Sequence, residues 1–314
     1  MVHLGRDPSW ESNLSMCDAR FQRTVRRPAA VKGFGYFSGR DVRVEFRPAP
    51  VYAGVTFVRS DLRTAACVPV SPALRVDVPR RTTLAYDGVR VEMVEHVLAA
   101  LAGMRIDNCD VWVTAAEMPC RDGSARAFVE ALDAAGCVEQ DAPVRQIRVT
   151  APVRVGDRRN WIEARPPVAG ATDKLSVSFD LDYGRHTAIG RQTARVVVSP
   201  ESFRSELAPC RTFLLEEDAQ AMVAQGLGGR VTTQHLLIFG PAGPIDNSLR
   251  FDNECARHKV LDVVGDLALT GCEILADVVA YRSGHKLHAE LAQRLLEHAA
   301  IDQESETSET RLCA

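Results

Sequence analysis

The chain has no two cysteines within four residues of each other, no long run of lysine and arginine, and no apolar stretch approaching the roughly 18 residues that a membrane-spanning helix needs. The first absence removes paired-cysteine zinc and redox motifs. The second argues against wholesale binding to a nucleic-acid backbone, and the formal net charge of −3 agrees. The third removes a transmembrane helix. The N-terminal MVHLGRDPSWESNLSMCD has no apolar core of secretory type, so a cytoplasmic protein is expected. The nine cysteines, scattered at 17, 67, 109, 120, 137, 210, 255, 272 and 313, then read as small buried hydrophobes in a reducing compartment. What is present is ordinary for a globular protein: 314 residues, 46% hydrophobic and 25% charged, enough for about two domains with substantial cores.

Two hydrophobic periods occur along the chain. Val42-Arg43-Val44-Glu45-Phe46 and Asp110-Val111-Trp112-Val113 alternate apolar and polar, as half-buried strands do. Val94, Val97, Leu98 and Leu101 recur at helical spacing, and Ser124 to Gly136 reads as a helix opened by a serine cap and closed by glycine. In the second half, strands are expected over Val144–Val155, Asn160–Ala164, Leu175–Leu181 and Arg195–Ser199, and helices over Leu215–Gln225, Asn253–Leu269 and Gly284–Ala299. A composition break at Asp141-Ala142-Pro143 divides the chain into expected domains at 19–141 and 142–301. Residues 1–18 and 302–314, polar and without apolar periodicity, are expected as disordered extensions. Neighbouring strands are often separated by tight turns rather than helices, which favours an α+β fold with mainly antiparallel sheets over a doubly wound parallel one. The halves use similar elements in similar order, which hints at a duplication.

The densest chemistry lies in Arg257-His258-Lys259-Val260-Leu261-Asp262-Val263-Val264-Gly265-Asp266. His258 and Asp262 stand at i and i+4, so a helix puts them on one face, with Asp266 one turn further. The intervening valines and leucine predict a largely buried helix, a costly place for a histidine and two carboxylates unless they are paired or metal-bound. Alone, such a pattern reads better as an ion-pair stripe. Its company changes the balance. Glu95-His96 sits inside the apolar helix Val94–Leu101, with the two side chains about 100° apart, so one can ligate a metal while the other faces water. Two histidines and an aspartate leave a fourth position open, as in catalytic zinc sites, and the neighbouring carboxylate is then a natural general base. Weaker elements are Ser283-Gly284-His285, Arg211-Thr212-Phe213, and the turn Pro119-Cys120-Arg121-Asp122-Gly123-Ser124, which on its own reads as a helix cap.

In this order the segments resemble the UDP-3-O-acyl-N-acetylglucosamine deacetylases, the zinc enzymes of lipid A synthesis. The resemblance is carried by VEHVLAALAGMRIDN (94–108), PCRDGSARAFVEAL (119–132), CRTF (210–213), LRFDNECARHKVLDVVGDLALTG (249–271) and AYRSGHKL (280–287), with weaker echoes in GFGYFSG (33–39), FRPAP (46–50) and RTTL (81–84). It runs from about residue 20 to 297. It implies two similar α+β domains, each a small mainly antiparallel sheet with two helices, packed so that the helices are sandwiched between the sheets. It implies zinc on His96, His258 and Asp262, with Glu95 as general base toward water. His285 becomes the acid and oxyanion stabiliser held by Asp266, and Thr212 a donor to the tetrahedral intermediate. Lys259, Phe213, Thr83 and Leu84 become substrate contacts, and an insert at about 226–250 the acyl-chain passage. The implied substrate is a small-molecule UDP-sugar carrying an acyl chain, acted on by a monomer with at most loose association with the inner membrane and no nucleic-acid partner.

Iron(II) could occupy the same ligand set. At Phe37, Arg230, His235, Lys286 and His288 the chain departs from the family's usual residues, so the preferred acyl length stays open. Two further readings are a metal amidohydrolase acting on a different N-acyl sugar, and a non-catalytic nucleotide-sugar sensor. The first is separated by activity on a substrate lacking the acyl chain. The second is disfavoured by a base and an acid beside one metal, and is separated by replacing Glu95 with Gln.

Overall fold

The computed structural model describes residues 20–169, 171 and 173–312, with side chains through Ala299. The extension expected at 1–18 lies outside the described residues.

The two main sheets are built on one plan. In the first, the hairpins Ala29–Phe34/Asp41–Pro48 and Val55–Arg59/Ala66–Pro69 flank the late strand Cys109–Val113. That strand is antiparallel to Asp41–Pro48 and parallel to Val55–Arg59. In the second, the hairpins Val153–Gly156/Trp161–Arg165 and Leu175–Asp182/Arg191–Val197 flank Glu273–Tyr281. It too is antiparallel to the first hairpin and parallel to the second. The duplication hinted at by the order of elements is therefore visible in the topology. The sheets are mainly antiparallel, as expected, but each carries a parallel pair at its centre, and in the second Gln146–Arg148 also runs parallel to Glu273–Tyr281; alternation in a sequence does not reveal this. The central strand Glu273–Tyr281 is buried from Ile274 to Val278.

Helices fall at matching places. α1 (Glu95–Gly103) precedes the central strand of the first half and α2 (Arg126–Ala135) follows it. A short turn of helix, α3 (Pro200–Ser202), and α4 (Glu216–Ala224) belong to an excursion of the second half. α5 (Glu254–Leu267) then precedes that half's central strand and α6 (His285–Leu312) follows it. The first half has its own excursion at the matching point, the small sheet Arg75–Val76, Thr83–Tyr86 and Val89–Glu92. α1 and α5 pack against each other between the halves. Both are buried on nearly all sides: Val97, Leu98, Ala99 and Ala100 on α1, and Val260, Leu261, Val263 and Val264 on α5, are at most 2% exposed.

Several expected boundaries shift for identifiable reasons. The strand expected over Val144–Val155 is two strands, Gln146–Arg148 and Val153–Gly156, because Pro152 has no N–H for a ladder and biases Ala151 as well. Ser124 does not cap α2 in the expected position; its hydroxyl accepts from the Arg126 N–H at 3.2 Å while Ala125 occupies the cap. Gly136 does close α2, at a φ of 66°. α6 continues through residues 302–312, expected as part of an unstructured tail: the segment is polar but contains neither glycine nor proline, so nothing in it stops a helix. Residues 313 and 314 lie outside the described residues. No helix is long and apolar enough to cross a membrane among the described residues.

Candidate active site

The N-terminus of α1 meets the middle of α5. The crossing is close because Gly265 has no side chain: a Cβ there would fall 2.1 Å from the carbonyl oxygen of Glu95 and 3.2 Å from Cβ of Ala99. Glu95 and His96 on α1 thereby face His258, Asp262 and Asp266 on α5. Just before α1, Met93 holds a left-handed φ of 61°, and Arg80 and Arg282, which with Met93 line the adjoining cleft, have φ values of 65° and 50°. Such backbone is costly away from glycine and collects at functional sites.

His96, His258 and Asp262 each offer one ligand atom within 4.8 Å of the others, and all three are buried. Nε2 of His96 lies 3.6 Å, and Nε2 of His258 3.4 Å, from Oδ1 of Asp262. The imidazoles are edge-to-face, with centroids 5.1 Å apart. His258 donates its Nδ1–H to the Cys210 carbonyl at 3.1 Å, which leaves the Nε2 lone pair facing the centre. Burial pushes His258 down to about 3, so this ring is neutral. Burial opposes the charge on Asp262, yet the Lys259 ammonium keeps it well below the ordinary carboxylate value. Lys259 Nζ bonds Oδ2 at 2.8 Å. Oδ1 has no hydrogen-bond partner although it is buried. An orphaned carboxylate oxygen between two imidazole nitrogens is a donor set that suits zinc or iron(II).

Around this centre stand the other polar groups. The Thr82 N–H donates to Oε2 of Glu95 at 3.0 Å, and burial raises the Glu95 carboxyl above its ordinary value against the pull of His285 and His96. Asp266, wholly buried, accepts the Thr82 hydroxyl at 2.5 Å and Nδ1 of His285 at 2.8 Å. Burial opposes its charge too, but His285 holds it down to about 2. For His285 burial is again outweighed, chiefly by Asp266, and its value rises to about 9. It is a cation at neutral pH.

The segment carrying Thr212 and Phe213 is anchored by a buried ion pair. Arg211 donates through Nε and Nη2 to the two oxygens of Glu254 at 2.8 and 2.9 Å, and Glu254 also accepts the N–H groups of Arg211 and Arg250. Thr212 rests on the turn at Gly123, donating its N–H at 2.8 Å and its hydroxyl at 3.1 Å to that carbonyl, with His258 Nε2 3.4 Å away. Phe213 stands edge-on to His258 at 6.0 Å and to Tyr183 at 5.7 Å. The turn is thus more than a helix cap: Asp122 binds Ser124 and Arg250, and Gly123 supports Thr212.

A cleft of about 720 Å³ brings together Glu95, His96, Thr212, Phe213, His258, Lys259, Asp262 and His285. A narrow apolar cavity adjoins it, sharing Arg80, Met93, Thr212 and Leu214. Its walls include Val231 and Leu236 from the expected insert and also Ala219, Met222 and Val223 of α4, which lie before it. Thr83 and Leu84, expected at the substrate, are 0% exposed; their strand turns both into packed surroundings, and Val78, Pro79 and Arg80 form the cleft wall instead. Thr82, which pattern reading passed over, makes the contacts to Glu95 and Asp266. Tyr183 and His288 were likewise missed as site residues: neither lies in a quoted motif with a titratable partner nearby in sequence.

The family model of UDP-3-O-acyl N-acetylglycosamine deacetylases (LpxC) matches residues 22–297. A protein of Chlamydia trachomatis serovar L2 named UDP-3-O-acyl-N-acetylglucosamine deacetylase is 36% identical over 286 residues, covering 91% of this chain and 98% of its own. Proteins of the same name from Anaeromyxobacter sp. and Psychrobacter arcticus are 40% identical (88% of each chain) and 37% identical (88% of this chain, 85% of theirs).

Proposed function

The chain belongs to the UDP-3-O-acyl-N-acetylglucosamine deacetylase family, and on that footing we propose that it hydrolyses the acetamide of a UDP-3-O-(3-hydroxyacyl)-N-acetylglucosamine to acetate and the free amine, the committed step of lipid A synthesis, using a divalent metal. His96, His258 and Asp262 would hold the ion. Zinc, or iron(II) in its stead, supplies Lewis acidity there and brings the pKa of water down to about 7. Glu95, oriented by the Thr82 N–H, takes the proton from the attacking water. Thr212, by turning its hydroxyl from the Gly123 carbonyl, donates to the oxyanion of the tetrahedral intermediate, and the cationic His285 adds charge stabilisation where the carbonyl oxygen becomes negative. Asp266 holds His285 by Nδ1, which leaves Nε2–H to protonate the departing amine; the proton on Glu95 then restores the imidazolium. Phe213 packs against the sugar or the start of the acyl chain, and Lys259, bonded to Asp262, adds a cation at the cleft wall.

The adjoining apolar cavity suits the acyl chain, and Arg282 and Lys286 at the polar arm of the cleft suit a diphosphate. The halves at 19–141 and 142–301 act in this reading as two domains, each lending one helix to the centre. The enzyme is taken as a cytoplasmic monomer that meets the membrane, if at all, loosely.

The observation that carries the reading is the partnerless Oδ1 of buried Asp262 between two imidazoles. The test is acetate release from the acylated UDP-sugar, with and without a chelator. Turnover that chelation abolishes and zinc restores is expected, with UDP-N-acetylglucosamine far poorer. Equal turnover of both substrates would point to a different N-acyl sugar; chelator-insensitive turnover would overturn the metal role.

A further inference from the structure

Asp266 receives two imidazoles, not one. Its Oδ2 lies 2.8 Å from Nδ1 of His285 and also 2.8 Å from Nδ1 of His288, while Oδ1 takes the Thr82 hydroxyl. His285 and His288 stand one turn apart at the start of α6, so helical geometry delivers both rings to the same carboxylate. An ionised carboxylate only accepts, so both Nδ1 atoms are protonated donors. His288 is wholly buried, and its Nε2 meets the Ser283 hydroxyl at 2.9 Å. With Nδ1 protonated and the ring neutral, Nε2 accepts from that hydroxyl, so both nitrogens are committed and the ring is locked. Burial favours this neutral form, whereas the charge resides on His285. Phe179 stands edge-on to the His288 ring at 6.4 Å.

Resting on the functional reading above, we infer that His288 is a positioning residue for the reaction: its Nδ1–H fixes the Asp266 carboxylate in the orientation that aims the His285 ring into the cleft. Thr82 pins one oxygen of Asp266 and His288 the other. Without His288, Oδ2 keeps only His285, and the carboxylate, held then by Thr82 at Oδ1 alone apart from that ring, is less firmly fixed against turning about its bond to Cβ and carrying the ring with it. Displacing a reacting group by about 1 Å can cost on the order of 10²-fold in rate. The effect belongs to turnover, because His288 is sealed from the cleft and touches no substrate.

The geometry supplies its own control. The amide nitrogen of an asparagine falls where Nδ1 of a histidine lies, and that of a glutamine where Nε2 lies. In the zinc-loaded enzyme, His288→Asn is expected to retain kcat within about 3-fold, and His288→Gln to lose about 10-fold or more with KM within about 2-fold. A residue needed only to fill volume would favour glutamine, the longer of the two. Equal kcat for the two variants, or a better glutamine, overturns the inference. Should His288→Gln fail to melt cooperatively, His288→Leu fills the space without a donor and carries the same expectation. His285→Gln separates the two levels: if it leaves kcat unchanged, the role given to His285 fails; if it abolishes turnover while His288→Asn and His288→Gln are alike, only the role of His288 fails.

Discussion

Gly265 lies so close to Glu95 that any side chain at this glycine would overlap the Glu95 carbonyl oxygen, a Cβ falling 2.1 Å from it. The geometry of the proposed centre thus depends on a residue with no functional group. Backbone cannot move as a flexible side chain can, so Gly265→Ala must separate α1 from α5 or bend one of them. A loss of roughly 1–3 kcal/mol in denaturant unfolding is expected from such overpacking. Zinc affinity should fall with it, since two of the proposed ligands lie on α5 and one on α1. Unchanged stability and unchanged zinc affinity would contradict the crossing.

Glu95→Gln keeps the shape of the side chain and can still accept the Thr82 N–H, but cannot take a proton. A fall in kcat of about 10²–10⁴-fold is expected, with metal content intact, as measured by acetate release beside metal analysis. Thr212→Val removes the proposed oxyanion donor and should cost about 10²–10³-fold in kcat. If either variant instead raised KM alone, its role would be binding.

The pH dependence follows from opposed shifts. Burial holds Glu95 above the ordinary carboxylate value, so activity rises as pH climbs past that range and the base ionises. Asp266, aided by Glu95 and Asp262, overcomes burial and holds His285 at about 9, so activity falls as pH passes about 9. A bell-shaped kcat/KM profile is expected, with an alkaline limb that His285→Gln removes. Stability has the matching signs. The raised His285 contributes fully below its ordinary 6.5 and ceases to contribute as pH rises through about 9. The depressed Asp266 contributes above its ordinary 3.8 and is lost as pH falls through about 2. An alkaline limb that persists in His285→Gln would assign it elsewhere.

Arg211→Met leaves Glu254 buried without its cation. Breaking such a pair costs about 3–5 kcal/mol, and the carbonyl of Cys210 that orients His258 moves with it. Denaturant melts and zinc affinity should both register the change; a stability loss below about 1 kcal/mol would mean that Glu254 finds other partners.

Much of the site was legible before the fold was known. His258, Asp262 and Asp266 declare a common face by helical spacing alone, and Glu95-His96 stands out as charge inside an apolar helix. The two-halved plan also shows in element order. What was not legible depends on contacts between distant segments. Alternation marks a strand but not the direction of its neighbour, so the parallel pair at each sheet centre went unseen. Along the short strand after Arg81, sequence could not tell which residue reaches the site: all three of Thr82, Thr83 and Leu84 are buried, but it is Thr82 that bonds Glu95 by its backbone and Asp266 by its hydroxyl. His288 looked like a local departure because its partner, Asp266, lies 22 residues away. Polarity in residues 302–312 argues against burial, not against helix.

The most direct test is a zinc titration of chelator-stripped protein, wild type against His258→Ala and Asp262→Ala, with metal content and acetate release read on the same samples. One zinc per chain restoring turnover in the wild type, with neither variant holding the ion or turning over at the same free zinc, is the expected result. Stoichiometric zinc and full turnover in Asp262→Ala would contradict the site.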